Sequence, residues 1–306
     1  MKFEKAAKQA KRLKLLVYGA SGTGKTTTAL HFPDPAVVDL EKGTDYYGEH
    51  FEFARIQTQD LGEINEAIED LLEDPSGVKT LVIDPFTKWY LLLQEKVLRE
   101  LMAVKGFDYV MQPKDWGIIK KEVEIFINKL LALDLNIVCT CQEKTEYSFT
   151  EGDFMTPVGF GPAGPKDIAF PFDVVLRLRT EPDGTHMATV IKDRTNKITT
   201  TEFEYTYQGL VGFFGNEELE REPVSFTGKK YLDEQAGRRE EIFWNGKTMM
   251  TAGATAEQLD RLVALNIDKS ELRQRIMNDY KLESALDLGA DELELLIEDL
   301  TNQPNV

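Results

Sequence analysis

Leu15-Leu16-Val17-Tyr18-Gly19-Ala20-Ser21-Gly22-Thr23-Gly24-Lys25-Thr26-Thr27 joins an apolar run to a helix-prone stretch through the pattern G-x-x-x-x-G-K-[ST], Gly19 to Thr26. An unbroken apolar run before such a loop reads as a buried strand. The octet itself predicts a phosphate cradle. Glycines at 19, 22 and 24 let the backbone come close to an anion, and N–H groups of the loop and of the helix after it face the negative charge. Lys25 is expected to reach the β- and γ-phosphates and Thr26 to ligate Mg²⁺. The expected ligand is therefore a nucleoside triphosphate, ATP with Mg²⁺, contacted by Gly19, Ala20, Ser21, Gly22, Thr23, Gly24, Lys25, Thr26 and Thr27.

Working outward, Lys25 to Phe32 predicts a short helix stopped by Pro33 and Pro35, and Ala36 to Leu40 a buried strand ending in Asp39-Leu40-Glu41. Thr58 or Asp60 can cap a helix reaching Glu73, with Leu61, Ile64, Ile68, Leu71 and Leu72 on one stripe. Thr80 to Asp84 is the next strand. A long helix follows Pro85, a second runs from about Asp115 to Leu133, and Asn136 to Gln142 is another strand. Strands alternating with helices predict βαβ units and a mainly parallel sheet. Asp173 to Arg179, His186 to Lys192 and Ile198 to Tyr207 read as an antiparallel extension, joined by turns such as Glu181-Pro182-Asp183-Gly184. The expected domains are an α/β core over 1–207, an unassigned extension and linker over 208–254, and a small acidic three-helix unit over 255–306, opened by a Thr255/Gln258 capping box.

The whole chain of 306 residues, at a formal charge of −17, excludes a protein that coats nucleic acid through bulk positive charge. Any such contact must be local. No apolar run is long enough to span a membrane and the lysine-rich start lacks a leader-like core, so a cytoplasmic protein with no membrane partner is expected. Cys139 and Cys141 sit two apart in a strand, too far for a disulfide, and are expected as reduced core residues. His31, His50 and His186 have no ligand-like spacing.

Hydrolysis needs a carboxylate at the metal, a group that orients water, and positive charge for the γ-phosphate. Asp84 ends the strand Leu81-Val82-Ile83, where a carboxylate can hold the Mg²⁺ shell through water. Glu41, just past the strand after the cradle helix, can polarise a water in line with the γ-phosphate, or be a solvated partner of Lys42. Gln142, at the end of another strand, can touch the γ-phosphate or its water and pass the nucleotide state onward. Glu143 to Phe170 is expected as a long functional loop: its Tyr147, Phe149, Phe154, Phe160 and Lys166 offer stacking faces and a cation to a single strand, while its acids Glu143, Glu146, Glu151, Asp153 and Asp167 suit instead a packed lid or partner-binding loop. Lys192 and Arg194, at the end of Met187 to Ile191, can act as fingers on the same nucleotide or on a neighbour's.

In this order along the chain, Gly19 to Thr26, Asp39-Leu40-Glu41, Leu81 to Asp84, Cys141-Gln142 and Val190-Ile191-Lys192-Asp193-Arg194 resemble the RecA-type ATPase core over roughly residues 10 to 205. More narrowly, the chain resembles the phage-encoded RecA-like annealing ATPases of the fourth Sak class. The resemblance implies a core that assembles on single-stranded DNA with ATP. It implies Glu41 as catalytic carboxylate, Asp84 at Mg²⁺, Gln142 as γ-phosphate switch, and Lys192 and Arg194 acting across a homo-oligomer interface. The C-terminal unit is similar to tail modules that would dock a recombination or single-strand-binding protein. A different class of function is an adaptor gated by nucleotide that recruits a partner through the acidic tail, and a kinase-like phosphotransferase is a third, for which the sequence holds no acceptor motif.

Overall fold

The structure, a computed structural model, describes residues 11–75, 77–148, 156–224, 231, 258, 261, 272 and 290–301. The chain divides into two units, residues 1–231 and 232–306. The first is a nine-stranded sheet: β1 (Lys14–Gly19), β2 (Pro35–Asp39), β3 (Ala54–Gln57), β4 (Thr80–Asp84), β5 (Asn136–Ser148), β6 (Thr156–Pro162), β7 (Val174–Thr180), β8 (His186–Asp193) and β9 (Glu202–Glu204). The order is β3-β2-β4-β5-β1-β7-β8-β9, with β6 pairing β5 off that path. Every pair from β3 to β7 along the path is parallel, and β7-β8, β8-β9 and β5-β6 are antiparallel. The α/β sheet with an antiparallel extension is the expected fold.

Why β1 lies in the middle is visible in its burial, because all six of its residues are buried. Leu15 and Val17 face one core with Val37, Val82, Val138 and Leu176. That face is covered by α1 (Lys25–Leu30) and by α5 (Tyr207–Phe214) and α6 (Asn216–Leu219), through Ala29, Leu30, Leu210, Phe214 and Leu219. The helices α2 (Leu61–Glu73), α3 (Phe86–Lys105) and α4 (Trp116–Ala132) pack with one another, α3 also against β5. Trp89 of α3 stacks on Phe126 of α4 at 3.9 Å between ring centroids, a pairing worth about 1 kcal/mol beyond its area. Asp60 caps α2 by accepting from Gly62 N and Glu63 N. Lys14 is buried at the foot of β1, where its ammonium donates to the carbonyls of Leu130, Leu133 and Leu135 at the end of α4. Burial pushes that ammonium down to about 7, against the pull of Asp134 and Asp173.

Several elements depart from the sequence reading. The strand β3 was not expected: it is a four-residue edge strand, exposed or half-buried along its length, with no apolar run to announce it. The expected loop Glu143 to Phe170 is in part a two-stranded ribbon. There β5 continues past Gln142 to Ser148 and pairs with β6, Glu143 opposite Pro162 and Ser148 opposite Thr156. The last expected strand shrinks from Ile198–Tyr207 to Glu202–Glu204, because Asp193 draws the preceding residues into a turn. Its carboxylate accepts from Thr195 N, Thr195 Oγ1 and Ile198 N. Within 208–254, α5 and α6 pack into the first core, and the Leu219 carbonyl accepts from Arg12 and Asn136. In the second unit α7 (Ala290–Thr301) is described, with Leu293, Leu296 and Ile297 buried and Glu294 paired with Arg261. The Thr255 cap and most of the other two expected helices lie outside the described residues. Among the described residues no helix is long and apolar enough to cross a membrane.

Candidate active site

The phosphate loop joins β1 to α1 at the carboxyl edge of the sheet, between the ends of β5 and β7. Gly24 takes φ 78° at the start of α1, and a Cβ there would lie 2.7 Å from the ring of His186. Gly19 is pressed against β7, since a Cβ would stand 2.5 Å from the Leu178 carbonyl. Both positions require glycine. The Lys25 ammonium donates to the carbonyls of Gly19 at 2.9 Å and Ala20 at 2.6 Å, and to Thr23 Oγ1 at 3.3 Å. Burial lowers its pKa, opposed by Asp84, Glu143, Cys141 and Glu41. Thr23 Oγ1 donates back to Ala20 O, which closes the turn.

Parallel pairing brings the other groups to the same edge. Asp39 of β2 is level with Asp84 of β4, and Gln142 of β5 is level with Gly19. Thr26 Oγ1 donates to Asp84 Oδ2 at 2.7 Å, and Thr140 donates to the other oxygen. Burial pushes the Asp84 carboxyl up, while the two threonine hydroxyls pull it down. A hydroxyl and a carboxylate held together are the donor set expected for Mg²⁺ that shares its remaining ligands with phosphate and water. Among the described residues no group of three His, Cys, Asp or Glu could hold a metal alone.

Glu41 leaves the sheet one residue beyond Leu40, whose N–H donates to Asp84 O at 2.9 Å. Its carboxyl is pushed up by burial first and then by Asp84, with Lys88 drawing it down. The loop that carries it is organised by Asp39, which the sequence reading placed at the end of a strand without giving it a role. The Asp39 carboxylate accepts from the N–H groups of Glu41, Gly43 and Thr44, from Thr44 Oγ1 and from Gln57. Burial alone would raise Asp39, but the bonds from Thr44, Gln57 and Gly43 hold it below its ordinary value. A further omission is Thr87, the second residue of α3. Its hydroxyl accepts from Gln142 N at 3.0 Å and donates to Ala163 O at 2.6 Å, so it pins the foot of the β5–β6 ribbon where Ala163 N meets Gln142 O. His186 and Thr180, at the tip of the β7–β8 hairpin, lean on Gly24 and on the Gly22 carbonyl, and Thr27 meets the Tyr47 hydroxyl. Outside the Asp39 turn, these contacts join residues 20 or more apart in the chain.

A family model described as AAA domain matches residues 11–205, more than half of the chain. The chain belongs to the AAA domain family. A comparison with curated proteins finds no match. AAA domain membership, with this sheet and loop, makes the first unit a P-loop NTPase fold and points to nucleotide-binding ATPase activity.

Within this AAA domain Lys192 and Arg194 stand apart from the other expected site residues. Lys192 lies opposite Val175, which is level with Leu16, and Asp193 lies opposite Val174, which is level with Leu15. At about 3.3 Å per residue the pair is roughly 10 to 16 Å down the sheet from Gly19. The Lys192 ammonium donates to the carbonyls of Ala169, Phe170 and Phe172, and Arg194 donates to Phe170 O. The register thus sets the pair away from the chain's own phosphate loop. Strand number and residue type announced a cation at a strand end; which edge it occupies depends on β8 running antiparallel to β7.

Proposed function

We propose that the chain is a RecA-like ATPase that works with single-stranded DNA in phage recombination, annealing or replication. In this reading Lys25 would grip the β- and γ-phosphates, Thr26 and Asp84 would hold Mg²⁺, which would supply charge neutralisation to the phosphoryl group, and Glu41 would accept a proton from the attacking water. The observation that carries this reading is the continuity of β5. Gln142, level with Gly19, runs without a break into a ribbon whose Tyr147, Val158 and Phe160 are exposed by 49, 61 and 45%. Tyr147 on the strand expected to sense the γ-phosphate, and Phe160 on β6 with the Arg177 guanidinium 4.1 Å from its ring centroid, suit stacked bases, and local contacts of this kind tolerate an acidic protein. Turnover of ATP in low salt should rise several-fold when single-stranded oligonucleotide is added. Equal rates with and without DNA, in a folded sample, would overturn the DNA part of the reading.

The same proposal makes Lys192 and Arg194 fingers on a neighbour's nucleotide, in a homo-oligomer with ATP at its interfaces. A supplied arginine finger is worth on the order of a thousand-fold or more in phosphoryl transfer. Arg194→Ala and Lys25→Ala should each be inactive alone. Mixed, they should recover part of the wild-type rate, because one joins an intact cradle to an intact finger. If the mixture stays as slow as its components, the fingers do not act across an interface.

A further inference from the structure

The β5–β6 ribbon runs off the main sheet, and a two-stranded hairpin standing alone in water is marginal at best. A few side chains hold it down. Tyr18 Oη donates to Phe160 O in β6 at 3.2 Å, and Thr87 Oγ1 donates to Ala163 O just past it at 2.6 Å. Arg177 of β7 reaches both strands of the ribbon. Its Nε donates to Glu143 Oε2 in β5 at 3.2 Å, and its guanidinium lies over the Phe160 ring, 4.1 Å from the centroid. The register explains the meeting. Arg177 and Cys141 are both level with Tyr18, Glu143 is two residues past Cys141 and so shares its face, and Phe160 stands opposite Thr145, two residues further on. As a stability feature the arrangement is weak, because the Arg177 and Glu143 side chains are 33 and 20% exposed and ion pairs open to water contribute little. Its chemistry is specific instead. A guanidinium is flat, always charged and stacks on an aromatic face, which an ammonium does less well. The Phe160 ring is thus held from one side while 45% of the residue stays open, and the carboxylate that holds the guanidinium belongs to the residue directly after Gln142.

We propose that Arg177 couples DNA to nucleotide: it is a positioning residue that sets the Phe160 ring for a base of single-stranded DNA and ties that ring, through Glu143, to what Gln142 meets at the γ-phosphate. The inference rests on the DNA reading above and on Gln142 as the γ-phosphate sensor. When Gln142 turns to the γ-phosphate, the backbone leading into Glu143 turns with it. The Glu143 carboxylate then carries the guanidinium, and the guanidinium carries the ring. Linkage acts in both directions, so a base stacked on Phe160 biases Gln142 toward the same arrangement. Stacking on an aromatic face tolerates any base, so the coupling needs no particular DNA sequence.

The test measures binding, not turnover. A fluorescein-labelled oligothymidylate is titrated with the full chain and followed by anisotropy, with and without a slowly hydrolysed Mg²⁺-ATP analogue at a concentration shown to saturate each variant. In the wild type the analogue should tighten DNA binding on the order of tenfold. In Arg177→Met, binding without nucleotide should weaken about fivefold, and the effect of the analogue should all but vanish. Glu143→Met cuts the link but leaves the guanidinium on the ring, so binding without nucleotide should be no weaker than in the wild type while the effect of the analogue is again lost. This second variant decides the matter where circular dichroism shows Arg177→Met to be poorly folded. A wild type that binds no oligonucleotide in either state overturns the DNA reading and the inference with it. Tightening by the analogue that survives in both variants overturns the inference and leaves the DNA reading standing. An equal loss of DNA affinity in Arg177→Met with and without the analogue would make Arg177 a DNA contact only and overturn the coupling, as would wild-type DNA binding that ignores the analogue.

Discussion

Lys25→Ala should remain folded and lose ATP turnover by a thousand-fold or more. Its ammonium holds three oxygens of the phosphate loop, Gly19 O, Ala20 O and Thr23 Oγ1, and all three belong to a loop that water can reach once the side chain is gone. The cost to folding is therefore small. The cost to binding is not, because a charge-assisted bond from an ammonium to phosphate is among the strongest a site can offer. One such donor, removed from where charge develops in the transition state, costs on the order of 10²–10³ in rate, and weaker binding of Mg²⁺-ATP adds to that loss. Calorimetry with Mg²⁺-ATP and a phosphate-release assay measure the two parts, and circular dichroism checks the fold. Wild-type affinity in Lys25→Ala would mean that the loop holds no triphosphate, and the reading of the site would fall with it.

Glu41→Gln should bind ATP with nearly unchanged affinity and hydrolyse it on the order of 10²–10⁴ times more slowly. The amide keeps the size of the carboxylate and can still touch water, but it cannot accept a proton. Burial, and then Asp84, raise the Glu41 pKa, with Lys88 opposing. The sign of the pH dependence follows. A base with a raised pKa is protonated as pH falls through that value, so wild-type turnover should drop on the acid side at a pH above the ordinary glutamate range, about 4.3. In Glu41→Gln that limb should vanish. Stopped-flow binding and steady-state turnover across pH 5 to 9 test both statements. Wild-type turnover in Glu41→Gln would show that another group orients the water.

Much of the arrangement was legible in the residues because it is local. The octet Gly19 to Thr26 is a contiguous structure whose backbone demands can be read one residue at a time, and the runs ending at Asp84 and Gln142 announce strands by their apolar content. The ribbon beyond Gln142 was not legible as a strand, since its residues mix charge, glycine and proline and it is stabilised by pairing with a segment eight or more residues away. The role of Asp39 was not legible because an aspartate at a strand end looks the same whether it caps a turn or faces a ligand. What separates the two is the set of five donors that the fold wraps around it.

From its residues alone this chain commits to a parallel sheet with a phosphate-binding turn at one edge, because hydrophobic periodicity and a glycine-lysine loop act within a few residues of chain. Register and strand direction were settled only by the folded molecule. They place Glu41, Asp84 and Gln142 around the loop, bring Thr87 in from α3, and carry Lys192 and Arg194 to the opposite end of β8. Those outcomes depend on pairings between segments scores of residues apart, where no single stretch of sequence holds both partners.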